Sequence, residues 1–354
     1  MSRFFSEKYN SLKPYTPGEQ PKEKKYIKLN TNESPFPPSP LAVEAVAEAA
    51  KKLQLYPDPD CRALTEKLAS SYGIDRSEIV WTNGSDDVLN FAFMAFCDQK
   101  KKAIFPDITY GFYKVFAEAL GVPYEQIPLQ DDFTIRIEDY FDRHATIFIA
   151  NPNAPTGIPL NISEIEEILK HNTDSVVIID EAYVDFGGES CIPLIRKYDN
   201  LLVTQTFSKS RSMAGARLGF GVGNPELIAD LNTLRYSTNP YNINAMTMAA
   251  GIGTLSDAAY TEKNCKVIAE NRAFTMEALS ALGFSMTDSK ANFVFARHKT
   301  LGGELLYQEL KERGVLVRHF SQKRISDYVR ITVGSREEME AFLKALSNIL
   351  EEFL

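Results

Sequence analysis

Between residues 79 and 235, short apolar runs alternate with stretches of helical periodicity, and this alternation narrows the fold more than any other feature of the chain. Residues 79–82, 103–105, 146–150, 176–180, 201–206 and 218–222 read as strands, being β-rich and too short for helices. Residues 86–97, 110–120, 164–171 and 226–235 read as helices. Such a succession builds a largely parallel sheet covered on both faces, because each parallel crossover needs a helix to return the chain. Ligands collect at the carboxyl ends of strands in sheets of this kind. The peptides that follow those ends are therefore where chemistry is expected.

The flanks read differently. Pro14, Pro17, Pro21, Pro35, Pro37, Pro38 and Pro40 rule out regular helix near the start, since proline lacks an amide proton and fixes its φ. Tyr15, Tyr26, Ile27, Leu29 and Phe36 give that segment something to pack, so residues 1–38 read as an extended arm. Ser39 and Pro40 supply a helix cap and first turn, opening a large domain over residues 39–241. Beyond it, helical stretches at 242–255, 259–282, 303–313 and 336–353 mix with strands at 292–296, 315–318 and 328–333. That pattern predicts a smaller α+β domain over residues 242–354.

Composition excludes several classes of function. No run approaches the roughly 18 apolar residues of a membrane span, and the charged start, with Arg3, Glu7, Lys8 and Lys13, lacks the form of a secretory signal. A cytoplasmic protein is expected. A net charge of −8 opposes nucleic-acid binding. Cys61, Cys97, Cys191 and Cys265 are too scattered for a zinc or redox pair, and the four histidines show no ligand spacing, so no metal is expected.

Thr206-Phe207-Ser208-Lys209-Ser210-Arg211 follows one strand and sets a lysine among hydroxyls, with further cations at Arg211 and Arg217. Neighbouring positive charge or desolvation makes a lysine amine nucleophilic; alone, the peptide reads equally as a solvated basic loop. Upstream, Val176-Val177-Ile178-Ile179-Asp180-Glu181-Ala182-Tyr183 ends an apolar strand in two carboxylates and a tyrosine. A buried carboxylate there needs a cation, and a protonated pyridine nitrogen is one; a magnesium ligand, a helix cap or plain surface are the ordinary alternatives. Asn151-Pro152-Asn153-Ala154-Pro155-Thr156-Gly157 reads as a turn-rich loop. Thr82-Asn83-Gly84-Ser85-Asp86-Asp87 joins a strand to a helix, whose amino end can hold a phosphate or simply cap a turn. The glycine alternation Gly219-Phe220-Gly221-Val222-Gly223 has the wrong spacing for a dinucleotide loop.

In this order the segments resemble the fold-type-I pyridoxal-phosphate enzymes of the aspartate aminotransferase superfamily, over the whole chain. More narrowly, Leu29-Asn30-Thr31-Asn32-Glu33-Ser34-Pro35, Tyr56-Pro57-Asp58, the 151–157 loop, Asp180-Glu181-Ala182-Tyr183 and Val329-Arg330-Ile331-Thr332-Val333-Gly334 resemble the histidinol-phosphate aminotransferases. The resemblance implies an α/β large domain with a mostly parallel seven-stranded sheet sandwiched by helices, and a smaller α+β domain. It implies pyridoxal 5'-phosphate as cofactor. Lys209 is then expected to carry it as a Schiff base and to act as general base, Asp180 to pair with the pyridinium nitrogen, and Tyr183 to donate to the phenolate oxygen. Tyr110 would stack on the ring. Gly84, Ser85, Asp86, Thr206, Ser208 and Arg217 would surround the phosphate, with Tyr56 reaching it from the partner subunit of a homodimer with shared sites. The residue before Pro155, usually an asparagine that bonds the phenolate oxygen, is here Ala154. Asn153 is expected either to shift into that role or to leave Tyr183 alone in it.

For the substrate, the resemblance assigns Arg330 to its anionic group and Arg318 to a second phosphate contact, while Tyr15 closes over the phosphate and Asn32 lies where the arm passes. The implied reaction converts histidinol phosphate and 2-oxoglutarate to imidazole acetol phosphate and glutamate. A threonine-phosphate decarboxylase, an aromatic aminotransferase and a non-catalytic binding protein of the same fold are the alternatives. Retention of Lys209 and Asp180 argues against the last.

Overall fold

The structure, a computed structural model, describes residues 2–9, 12, 18–20 and 25–354. A short strand, β1 (Ile27–Lys28), precedes the helices α1 (Pro40–Ala50) and α2 (Arg62–Tyr72). Pro40 sits in the first turn of α1, as expected from its preset φ. Ser39 caps nothing with its side chain; its hydroxyl instead donates to Asp257 at 2.6 Å.

Seven strands form the main sheet: β2 (Ile79–Thr82), β3 (Ala103–Pro106), β4 (Tyr124–Ile127), β5 (Thr146–Ala150), β6 (Val177–Asp180), β7 (Leu201–Thr206) and β8 (Gly219–Gly223). Their order is β2-β8-β7-β6-β5-β3-β4. Only β8 runs against its neighbours; the rest share one direction. Successive side chains leave a strand on opposite faces, so Val177 and Ile179 enter one core while Ile178 enters another. The helices α3 (Ser85–Phe96), α4 (Phe112–Leu120) and α6 (Pro225–Thr238) cover the Ile178 face through Val88, Leu89, Tyr113, Ala117 and Leu231. On the opposite face lie α2, α5 (Ile162–Lys170) and α7 (Ala245–Leu255). Burial on both faces explains why the inner strands are apolar without alternation.

The helix α7 lies on the far side of the boundary drawn at residue 242, yet it packs against α1 and α2 and shares their core. Its small residues are the reason. A Cβ on Gly253 would stand 2.6 Å from the Ala42 Cα, so glycine there lets two helix backbones approach closely.

The remaining chain forms a second layered body. It contains α8 (Ala258–Ala281), β9 (Phe284–Met286), β10 (Phe293–His298), α9 (Gly303–Glu312), β11 (Val315–Leu316), β12 (Arg318–His319), β13 (Val329–Thr332) and α10 (Arg336–Phe353). β12-β13-β10-β9 make an antiparallel sheet, and β11 pairs in parallel with β1. The single strand expected over 315–318 is thus two strands in two sheets. Leu29, though near the start of the chain, is fully buried among Ile331, Phe342 and Leu346 of this second core.

Candidate active site

A cavity opens where β5, β6 and β7 end, lined by Ala150, Asp180, Thr206 and the residues that follow them, Ala154, Ala182, Tyr183, Ser208 and Lys209. Ser85 and Asp86 of α3, Tyr110 and Arg217 complete it. Asp180 is buried at the end of β6, where Tyr113 donates to its Oδ2 at 3.1 Å and the Ala182 amide to its Oδ1 at 3.2 Å. Burial outweighs these donors and pushes the carboxyl up to about 7. Among the described residues no cation stands within ion-pair distance of it. The adjacent Glu181, also buried and pushed up to about 7 by desolvation, is spent on structure: Ser190, the Cys191 amide and Gln205 all donate to it.

Lys209 Nζ donates to the carbonyl of Thr31 at 3.2 Å and lies 5.8 Å from the Tyr183 ring centre. Arg211, its expected cationic neighbour, turns away into the core, where it pairs with Asp185 and bonds Tyr72. Tyr183 packs edge-on against Phe293, and its hydroxyl accepts from Asn32 Nδ2 at 2.9 Å.

At the other end of the cavity, Tyr110 donates to Asp86 Oδ1 at 2.7 Å, and Asp86 Oδ2 meets Arg217 at 3.2 Å. Arg217 also reaches Ser208 Oγ at 3.3 Å, and Ser208 and Thr206 bond each other at 3.0 Å. Gly84 precedes α3 with φ +85°, and a Cβ there would lie 2.5 Å from Arg217 Nη2. A glycine, a helix amino end, two hydroxyls and an arginine thus share one small volume, and each is suited to an anion.

A second cavity continues from the first and shares Tyr110, Ala154, Tyr183 and Lys209 with it. Its outer wall carries Gly18, Asn30, Thr31, Asn32, Arg318, Phe320, Gln322 and Arg330. Arg318 and Arg330 are register partners on the antiparallel strands β12 and β13. Both guanidinium groups thus line the same wall of the second cavity. Arg330 also donates to the Asn30 carbonyl at 3.1 Å and lies over the Phe293 ring.

Most of the residues singled out from sequence converge here, with three exceptions. Asn153 does not face the cavity: its amide donates to the Ile108 carbonyl and to Thr156, and its oxygen accepts from Thr109 at 2.7 Å, so the loop consumes all of it. Tyr56 is 82 % exposed and stacks on Tyr241, away from this chain's own cavity. Tyr15 lies outside the described residues. Sequence reading missed Tyr113, whose spacing of one helical turn from Tyr110 was the available signal. Arg324 joins the two bodies through Asp107 and the carbonyls of Leu129 and Gln130.

Residues 24–346 match the family model for aminotransferase class I and II. The chain belongs to that family. It is 48% identical to the histidinol-phosphate aminotransferase of Brachyspira hyodysenteriae, covering 99% of this chain and 100% of the relative. Among solved structures, the histidinol-phosphate aminotransferase of Sinorhizobium meliloti in complex with pyridoxal-5'-phosphate superposes with a TM-score of 0.91 at 22% identity, covering 100% of this chain and 99% of that one. The L-threonine-O-3-phosphate decarboxylase of Porphyromonas gingivalis gives 0.80 at 23% identity, covering 92% and 99%. At such identities the two structures share the fold and do not separate the activities.

Proposed function

We propose that this protein is a pyridoxal-phosphate-dependent transaminase that converts histidinol phosphate and 2-oxoglutarate to imidazole acetol phosphate and glutamate, a step of histidine biosynthesis. The observation that carries the reading is the opposed pair Arg318 and Arg330, which faces the same space as Lys209. Two guanidinium groups suit a phosphate dianion, and either suits the carboxylate of glutamate in the other half-reaction.

The residues present fit the cofactor. Asp180 is a buried carboxylate wanting a cation, the absence of a side chain at Gly84 leaves room for the Arg217 guanidinium, and one amine, Lys209, shares the cavity with Asp180 and Arg217. When bound, pyridoxal phosphate supplies an electron-withdrawing ring that takes up the charge left as a proton leaves the substrate carbon. Asp180, ionised by a ring cation, keeps that cation in place. Ser85, Ser208, Thr206 and Arg217 hold the phosphate end, and Tyr110 and Ala182 bound the ring's space. Lys209 would hold the cofactor, and its Nζ, which borders both cavities, would move a proton at the substrate carbon. Tyr183 Oη would donate to the ring oxygen. Arg318 and Arg330 set the distance between the substrate's anion and its reacting carbon.

We infer further that the active form is a homodimer. Tyr56 and Tyr241, which stack on each other and are exposed, would then be covered, and Tyr56 would complete the partner's phosphate site. The large domain is best drawn to include α7, with the small domain beginning at α8. Among the described residues no helix is long and apolar enough to cross a membrane, which is in keeping with a cytoplasmic enzyme. The test mixes purified protein, pyridoxal phosphate and histidinol phosphate and follows the cofactor's absorbance. Conversion that 2-oxoglutarate reverses is expected; release of carbon dioxide from threonine phosphate instead would overturn the transaminase reading.

A further inference from the structure

A hydrogen-bond chain that begins in the second sheet ends on Tyr183. Thr332 of β13 is buried, and its Oγ1 accepts the backbone N–H of Asn32 at 3.0 Å while donating to Asn32 Oδ1 at 3.0 Å. Asn32 Nδ2 then donates to Tyr183 Oη at 2.9 Å. Asn32 itself is held in the left-handed region, with φ 57°, and its carbonyl accepts from Asn292 Nδ2 at 3.0 Å. Left-handed backbone favours a short polar side chain over a branched one.

The direction of this chain follows from counting protons. With the Asn32 amide reversed, Thr332 Oγ1 would face two donors, and its own proton would lose the one acceptor it has among the described residues. Leaving a buried hydroxyl proton unmet is unfavourable, so Nδ2 faces Tyr183. A phenol has a single proton. Because a donor already occupies its oxygen from the Asn32 side, that proton is directed elsewhere, and the open side of Tyr183 is the cavity it shares with Lys209. Ala154, on the same wall, brings no donor.

We propose that Thr332 and Asn32 are positioning residues that aim the Tyr183 hydroxyl proton into the Lys209 cavity, so that Tyr183 acts there as a donor and never as an acceptor. This rests on the cofactor reading given above. A donor at the ring oxygen stabilises the negative charge that remains when the linkage to Lys209 loses its proton, and it therefore lowers the pH at which that proton leaves.

The measurement is the pH midpoint of the absorbance change of the cofactor-loaded protein. Thr332→Val, which keeps shape and removes the hydroxyl, is expected to raise the midpoint by about one unit, a tenfold change in the equilibrium. Thr332→Ser should restore it, and Thr332→Ala serves if the valine variant does not fold. In a Tyr183→Phe background Thr332→Val should add nothing, as expected of residues acting in one chain. An unmoved midpoint in Thr332→Val, or shifts that simply add in the double variant, would overturn the proposal. Should no cofactor absorbance develop at all, the earlier reading fails. The chain is then read in cofactor-free protein from the 15N signals of the Asn32 side-chain amide: both Thr332→Val and Tyr183→Phe must move them, and unmoved signals reject it.

Discussion

Replacing Asp180 with asparagine is expected to stabilise the cofactor-free protein at pH 8 and to leave it nearly unchanged at pH 5. The folded carboxyl is pushed by burial from 3.8 to about 7, roughly three units, and each unit corresponds to about 1.4 kcal/mol. The sign follows from proton linkage. Between pH 4 and 7 the folded protein holds a proton that the unfolded chain has released, so stability falls as pH rises through that window. Above it, the wild-type protein carries the full penalty of a buried carboxylate, on the order of 4 kcal/mol. Asparagine has no proton to lose. It accepts from the Ala182 amide as Asp180 does, but it turns Tyr113 from donor into acceptor, which gives back about 1 kcal/mol. The net gain at pH 8 is about 3 kcal/mol. With an unfolding entropy of about 2.1 cal/mol/K per residue over the whole chain, that raises Tm by roughly 4 °C.

The assay is thermal denaturation of the two cofactor-free proteins across pH 5 to 8. Glu181, displaced in the same direction, is common to both and cancels in the difference. Adding pyridoxal phosphate should reverse the ranking, because only the wild-type carboxylate can pair with a ring cation, and ligand that binds the folded state alone stabilises it. A Tm gap that is the same at pH 5 and pH 8, or an asparagine variant that is the less stable at pH 8, would refute the account of Asp180 as a carboxylate kept waiting for a cation.

Three further outcomes follow from the geometry. Arg330→Ala should weaken both half-reactions, whereas Arg318→Ala should raise KM for the phosphorylated substrate more than for glutamate, by roughly 10- to 100-fold for a lost charge-assisted contact; equal losses for both substrates would dissolve this division of labour. Gly84→Ala places a Cβ 2.5 Å from Arg217 Nη2 and so displaces the guanidinium expected to hold the phosphate; pyridoxal phosphate should bind at least about tenfold more weakly by fluorescence titration. Arg324→Ala removes contacts to Asp107, Leu129 and Gln130 and should cost about 1–2 kcal/mol of stability, read as a lower Tm with the cofactor's pH midpoint unmoved.

What could be read from the sequence was what short range determines. The central strands β5, β6 and β7 are buried on both faces and therefore written as apolar runs, and Asp180, Thr206 and Lys209 stand out because polarity returns where burial stops. The edge strand β4 was invisible for the converse reason: only Ile127 of Tyr124–Ile127 is buried, so no apolar run marks it. The 315–318 segment looked continuous because a pairing change between Leu316 and Arg318 leaves no trace in composition. Sequence alone does not show which way the neighbours Asn153 and Ala154 point. In the fold the Asn153 amide is committed to Ile108, Thr109 and Thr156, and only the Ala154 methyl reaches the cavity.

The contacts hardest to foresee are those made by the segment from Ile27 to Asn32, and they explain how two bodies form one site. Ile27 and Lys28 extend the β11 ladder, the Leu29 carbonyl accepts from Thr332, and Leu29 fills the second core. Two and three residues later the same segment supplies Thr31 to Lys209 and Asn32 to Tyr183, both belonging to the main sheet's strand ends. Asn32 and Thr332 lie 300 residues apart, a separation at which no local pattern can signal contact. Because this segment is bonded to the second body and touches the lysine of the first, a displacement of one body against the other strains the bonds at Thr31 and Asn32 along with those that Arg324 makes to Asp107, Leu129 and Gln130. The segment from Ile27 to Asn32 therefore helps to set the distance from the arginine pair to the lysine, and a substitution at Leu29 should disturb both cavities although it lines neither.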